Sequence, residues 1–442
     1  MQISSISREQ AQPHADVADV PVFPKQHLLP FVLVTSLFFL WGMSNNLTDI
    51  LVQQFKRSFG LSPLQAQLVQ TAVFMGYFCM ALPAAMFMRR MGYKAGILAG
   101  LFLFGGGMLL FWPAALSGHY AAFLLALFTV GCGSATLETA SNPFIAQFGA
   151  AATSERRLSF SQSFNPPGTI TGVLIGTFFI FSGVHLTPAK IAHMERVGSY
   201  GRYLHSEIMR VVPPYVALGC VVLLMALWIG LTKFPQIESE QEAGGSRGGL
   251  VELFRYPHLW LAALAQFCYC GAQISTWSAF IFYMLQYTAA TERTAALFLT
   301  GNLVALAVGR ILSTGLMRWF APAKMMGTYA VINIALLGVA ILHPGKWGVG
   351  AILASSFFMS IMFPTIFALG VKGLGANTKM GGSVLVMTVV GGAIFPPLLG
   401  FIAKRTGSYA LGYSVVLLAY VVVALYAFWG SGTKGEPVVD AV

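Results

Sequence analysis

Long apolar stretches alternate along this chain with short polar ones. Taking about 20 mainly apolar residues as one helical crossing of a bilayer, the pattern predicts twelve spans, at roughly 29–53, 64–88, 94–114, 119–146, 160–183, 212–233, 259–286, 294–318, 324–342, 347–372, 380–404 and 407–430. Composition decides that these are membrane helices rather than core helices of a soluble protein. Of 442 residues 56% are hydrophobic and only 9% charged, with a mean hydropathy of +0.72, whereas soluble domains carry about 25% charged residues. A cytosolic enzyme, a nucleic-acid binder and a disordered scaffold are all excluded on this ground. The expected fold class is an all-α membrane protein of twelve transmembrane helices in two six-helix bundles, with the lipid bilayer as its surroundings.

The division into two bundles comes from the stretch 236–252, which is hydrophilic, holds Glu238, Glu240 and Glu242, and contains a Gly/Ser run at 244–249. It reads as a flexible linker. The predicted organisation is a disordered cytoplasmic tail at 1–27, a first bundle at 28–233, a linker at 234–258, a second bundle at 259–430 and a tail at 431–442. The starts of the first and seventh, third and ninth, and fourth and tenth spans are offset by 230, 230 and 228 residues, which suggests two related halves.

The net charge of +11 is explained by topology. With both termini inside, the inner connectors and tails hold 15 Lys and Arg and the outer ones 10, of which Lys190, Arg196, Arg202 and Arg210 belong to one long connector. This positive-inside bias places both ends in the cytoplasm. Residues 1–27 lack the basic start and apolar run of a cleaved signal peptide. The five cysteines fall inside apolar stretches and are expected to be free thiols.

Of the 15 acids, thirteen lie in tails or connectors and two, Asp49 and Glu138, lie inside spans; Arg310 is the lone base within a span. A charge at the bilayer centre costs on the order of 2.5–3.5 kcal/mol, so such residues usually face a water-filled cavity. The plainer reading is an acid kept neutral by burial, or one paired with Arg310 for assembly. Each acid, however, sits in a polar cluster of an oily helix, at 44–49 and at 136–142. Asn46 shares a helix face with Asp49, and Glu138 with Asn142, because residues three or four apart are helical neighbours. Asp49 is expected in the outer half of the membrane and Glu138 nearer the cytoplasm, so the two are not one proton-sharing pair.

A carboxyl reached by water first from one side and then from the other is what proton coupling requires, and amides with aromatic rings are what a sugar requires. Asn46, Gln162, Asn165, Gln273, Trp277, Asn302 and Tyr283 supply the second set. Several apparent motifs carry no chemistry. Gly244-Gly245-Ser246-Arg247-Gly248 fits G-x-S-x-G but lies in the linker with no strand before it. Cys268 and Cys270 point to nearly opposite faces of a helix and do not make a metal site. Gly168, Gly172 and Gly176 form a close-packing stripe. Pro143, Pro166-Pro167, Pro364 and Pro396-Pro397 interrupt helical hydrogen bonding, which marks either binding sites and hinges or simple packing kinks. No enzyme motif, metal site or cofactor is expected.

The stretches LFFLWGMSNNLTDIL (37–51), LETASNPF (137–144), RLSFSQSFN (157–165), FCYCGAQISTWS (267–278), PTIFALGVKGLG (364–375) and TKMGGS (378–383) resemble the fucose and hexose proton symporters of the major facilitator superfamily. The resemblance runs through both halves. It implies a bacterial inner-membrane carrier, working as a monomer by alternating access, that takes up a monosaccharide with a proton and needs no nucleotide. It also implies that Glu138 serves proton coupling and Asp49 sugar recognition, with Asn46, Gln162 and Asn165 at matching polar positions. L-fucose is the first expectation, because Asn45-Asn46 and the LET around Glu138 follow the fucose branch. Where that branch has Gln-Tyr before the tenth-span proline this chain has Met362-Phe363, and this pair, with GGAIFPP (391–397), resembles the glucose and galactose branch. A hexose, sodium in place of the proton, and a sugar sensor that does not transport are the alternatives.

Overall fold

The computed structural model describes residues 28–61, 65, 68–180, 188–235, 252–290 and 292–431. The predicted tail 1–27, the linker stretch 236–251, the end of the chain beyond Ser431 and the side chains of Asn46 and Asp49 lie outside the described residues. Nine stretches among the described residues are long and apolar enough to cross a membrane. One of them, Leu68–Ser117, is two crossings folded back at Gly92, whose φ of 82° and ψ of 171° suit glycine. Two more, 154–180 and Pro257–Tyr287, are rich in polar residues and complete twelve. In chain order these are α1 (Leu28–Ser58), α2 (68–91), α3 (93–117), α4 (Tyr120–Gln147), α5 (154–180), α6 (Val212–Leu231), α7 (Pro257–Tyr287), α8 (Glu292–Leu316), α9 (Pro322–Leu342), α10 (Lys346–Val371), α11 (Gly375–Thr406) and α12 (Tyr409–Gly430).

The two halves repeat one set of pairings. In the first, α1 packs on α5, α2 on α4 and α3 on α6; in the second, α7 packs on α11, α8 on α10 and α9 on α12. Lipid tails are as apolar as the helices, so association depends on close packing, and small residues permit it. A Cβ added to Gly168 would stand 2.0 Å from the Phe39 carbonyl oxygen, one on Gly172 2.3 Å from that of Met43, and one on Gly42 2.2 Å from that of Asn165. The expected stripe therefore presses α5 directly onto the α1 backbone. Gly131 does the same between α4 and α2, where a Cβ would lie 2.4 Å from Val73 O.

A hydropathy reading sees only a loop between α5 and α6. The structure has two short helices there, Pro188–Arg196 and Tyr200–Met209, too short and too polar to register as spans.

The halves meet at the end of the bundle that carries the basic connectors α2–α3, α4–α5, α8–α9 and α10–α11. Lys372 Nζ lies 3.4 Å from Glu155 Oε1, Lys379 Nζ sits 4.8 Å above the Tyr93 ring, and Gly382 packs on Pro143. One level further in, the hydroxyls of Ser159 and Thr314 share a 2.6 Å hydrogen bond across the halves.

Candidate functional site

Above this contact, between the halves, is a cavity of about 260 Å³. That is close to the lower end of the roughly 300–1,000 Å³ found for small-molecule sites. Both halves supply its wall, and the spacing of the lining residues shows how. From α2 come Gln70, Val73, Phe74 and Tyr77, and from α7 Cys270, Gln273, Ile274 and Trp277. Positions i, i+3, i+4 and i+7 form one face of a helix. In α1 the same face presents Phe38, Trp41, Asn45 and Thr48, while α4 contributes Glu138 and α8 contributes Arg310. Phe363 of α10 adds an apolar ring.

Glu138 is only 2% exposed, and its carboxyl faces the Tyr77 hydroxyl and the Asn142 side chain. Trp41 Nε1 donates to the Tyr77 hydroxyl at 2.8 Å. A phenol has a single proton, so accepting from Trp41 leaves the Tyr77 O–H free to donate towards the acid. On the other side Gln162 Nε2 donates to Asn142 Oδ1 at 3.3 Å. The acid is thus joined to the cavity wall through neutral polar groups. Among the described residues the one ion pair is Lys372–Glu155, so Glu138 is not neutralised by Arg310.

Of the residues singled out from sequence, the structure brings Glu138, Gln162, Asn165, Gln273 and Trp277 together at the cavity. Asn165 also donates through Nδ2 to Phe38 O at 3.3 Å, tying α5 to α1. For Asn46 and Asp49 only the backbone is described, within α1 and next to the lining residues Asn45 and Thr48. Two others lie away from the cavity wall. Asn302 does not line the cavity; it is fully buried, and its Oδ1 accepts from Ser356 Oγ at 3.0 Å. Tyr283 is buried as well and donates to Ala340 O at 2.7 Å. Sequence reasoning missed Trp41, Gln70 and Tyr77, and had Asn45 and Thr48 only as members of the polar cluster 44–49. For Trp41, Asn45 and Thr48 the signal was present in their period with Phe38.

Ser356 in turn accepts from Trp277 Nε1 at 3.4 Å. Both cavity tryptophans therefore have their N–H committed to a hydroxyl and turn the rest of the indole to the cavity. Ser356→Ala removes the partner that holds Trp277. The expected result is binding of the cavity's ligand weakened about 3- to 10-fold, the worth of one hydrogen bond, with little further change from Ser356→Ala once Trp277→Phe is present.

A cavity between two related six-helix halves is where carriers of this architecture hold their cargo. The family model of the Major Facilitator Superfamily matches residues 33–396. The chain belongs to the major facilitator superfamily. This facilitator is 40% identical over 414 residues to the L-fucose-proton symporter of Escherichia coli K12, covering 92% of this chain and 94% of that one. It is 33% identical over 401 residues to a glucose/galactose transporter of Brucella abortus, covering 90% and 93%. Among solved structures it is similar to FucP, a major facilitator transporter crystallised in the outward conformation, with a TM-score of 0.83, 40% identity and coverage of 92% and 99%. The facilitator is accordingly a membrane transporter of twelve helices and not an enzyme.

Proposed function

We propose that this facilitator is a proton-coupled monosaccharide symporter, with L-fucose as its sugar, working as a monomer in a bacterial inner membrane with both termini in the cytoplasm. The observation that carries the reading is the Glu138 carboxyl, buried in an apolar bundle yet at the wall of a cavity lined with amides and indoles. Glu138 exchanges the proton. Gln162, Asn165 and Gln273 hydrogen-bond sugar hydroxyls, and Trp277 packs against the apolar face of the ring. Asn302 acts behind this wall through Ser356. Asp49 and Asn46 are assigned to sugar recognition from their place in the first-span stretch that resembles the family and from the 40% identity to a fucose symporter. The positive-inside bias makes the basic end cytoplasmic. The state seen here is therefore closed to the cytoplasm, in keeping with its likeness to FucP in the outward conformation.

A second reading, uptake of glucose or galactose, is favoured by one observation: Phe363 stands in the cavity wall, and the Met362-Phe363 form resembles the hexose branch. Uptake of labelled L-fucose into proteoliposomes, with D-galactose, D-glucose and D-mannose as competitors, separates the two. The account expects strong inhibition only by unlabelled L-fucose. Equal or stronger inhibition by D-glucose or D-galactose would transfer the assignment to the second reading. In the same assay Asp49→Asn is expected to weaken sugar binding roughly 10- to 100-fold, the worth of a hydrogen bond to a charged group. Unchanged binding would remove Asp49 from the site.

A further inference from the structure

Arg310 is 5% exposed and, among the described residues, is not part of an ion pair. Its Nε donates to Ser360 O at 2.7 Å and its Nη1 to Gln162 O at 2.9 Å. The first carbonyl belongs to α10 of its own half, the second to α5 of the other. What these two carbonyls share is visible in the sequence. In a helix the carbonyl of residue i accepts from the N–H of residue i+4. Four residues after Gln162 stands Pro166, and four after Ser360 stands Pro364, and proline has no N–H to give. Both helices break at these points, α5 at Ser163–Phe164 and α10 between Met359 and Ile361. A buried carbonyl without a donor is costly, above all in a membrane. The planar guanidinium, with donors fixed in a fork, can meet two such carbonyls at once.

We propose that Arg310 is a positioning residue of the sugar cavity: by replacing the two N–H groups that Pro166 and Pro364 remove, it fixes the wall at Gln162 and at Phe363 and ties the halves together only while the cytoplasmic end is closed. The proposal rests on the symport reading given above. It separates two roles. Satisfying Gln162 O sets the wall that meets the sugar, whereas reaching from α8 to α5 links the halves. Reorientation has to break the second contact, so the tie belongs to one state and biases the equilibrium towards it.

The two roles separate in a double variant. Arg310→Leu is expected to raise the sugar half-saturation in counterflow at least about 10-fold. In Cys79→Ser, Cys220→Ser, Met91→Cys, Phe320→Cys protein, which lacks the two exposed native thiols and carries spin labels at 91 and 320, it is also expected to lengthen the distance between the basic connectors. Adding Pro166→Ala returns an N–H to Gln162 O within α5. Half-saturation should then recover to within about 3-fold of the parent, while the spin-label distance stays long because nothing restores the tie. Failure of Pro166→Ala to recover affinity, or an unchanged distance in Arg310→Leu, overturns the proposal. Should Arg310→Leu not accumulate, Pro166→Ala alone decides. Its new N–H competes with Arg310 for Gln162 O, so the distance must lengthen partly with half-saturation held within about 2-fold, and no lengthening counts against the tie. If the parent protein takes up no sugar, the symport reading fails, yet the distance measurement still tests the tie.

Discussion

Glu138→Gln is expected to abolish accumulation of sugar against its gradient while leaving sugar-for-sugar exchange running. Glutamine has the shape of the protonated acid and keeps one donor and one acceptor for Tyr77 and Asn142, which face this position. The wall therefore survives, and the variant behaves as a carrier locked in its proton-loaded form. Such a form can bind sugar and reorient with it, which is all that exchange needs. It cannot release a proton to the cytoplasm, so the proton gradient no longer drives the cycle. The parent's uptake should fall as external pH rises, because the loading proton becomes scarcer outside, whereas exchange by the variant should be flat over the same range. Labelled-sugar uptake and counterflow in the same vesicles check this. Loss of exchange together with uptake would show that Glu138 holds the sugar or the fold and not the coupling proton.

The second large effect is expected far from any charge. Gly168→Val would place a branched side chain where even a Cβ lies 2.0 Å from Phe39 O. That atom is backbone and cannot swing aside, so α1 and α5 must separate. Overpacking of this kind costs about 1–3 kcal/mol in ordinary cores and more where backbone is struck. The damage reaches function because α1 carries Trp41, Asn45 and Thr48 while α5 carries Gln162 and Asn165. Parting the helices widens the cavity and pulls Asn165 Nδ2 away from Phe38 O. Detergent-solubilised Gly168→Val should melt well below the parent and show no sugar binding. A variant as stable as the parent, with normal binding, would mean that the α1–α5 contact is looser than described. Gly230 is the contrasting control, since the nearest atom to its Cβ would be 4.0 Å away, and Gly230→Ala should change neither property.

The helical architecture could be read from sequence because each crossing needs its own apolar run of fixed length, and the connectors between them are polar. The break between α2 and α3 was also legible, as the gap between the predicted spans 64–88 and 94–114, although not the single glycine on which it pivots. The site was legible only in part. Glu138 announced itself by its cost in lipid. Uncharged residues gave no such signal, and a polar residue in a span faces either the cavity or the inside of its own bundle. Gln273 and Asn302 look alike in sequence, yet one lines the cavity and the other is sealed behind Ser356. Asn333 in α9 is fully buried too, and the cavity does not include it. Which face of a helix meets which neighbour depends on packing across helices far apart in the chain, and no local periodicity encodes that. Arg310 is the clearest case. Its charge stood out, but its partners are carbonyls freed by prolines 144 positions before it and 54 after it.

The central claim is that sugar movement through this cavity is driven by a proton exchanged at Glu138. The most direct measurement is labelled L-fucose uptake into sodium-free proteoliposomes with an alkaline lumen, followed together with the pH of the outer medium. The account predicts accumulation above the outside concentration, alkalinisation of the medium when sugar is added, and loss of accumulation on collapse of the gradient by a protonophore. Uptake that merely equilibrates, ignores the pH gradient and appears against a gradient only when sodium is supplied would contradict it.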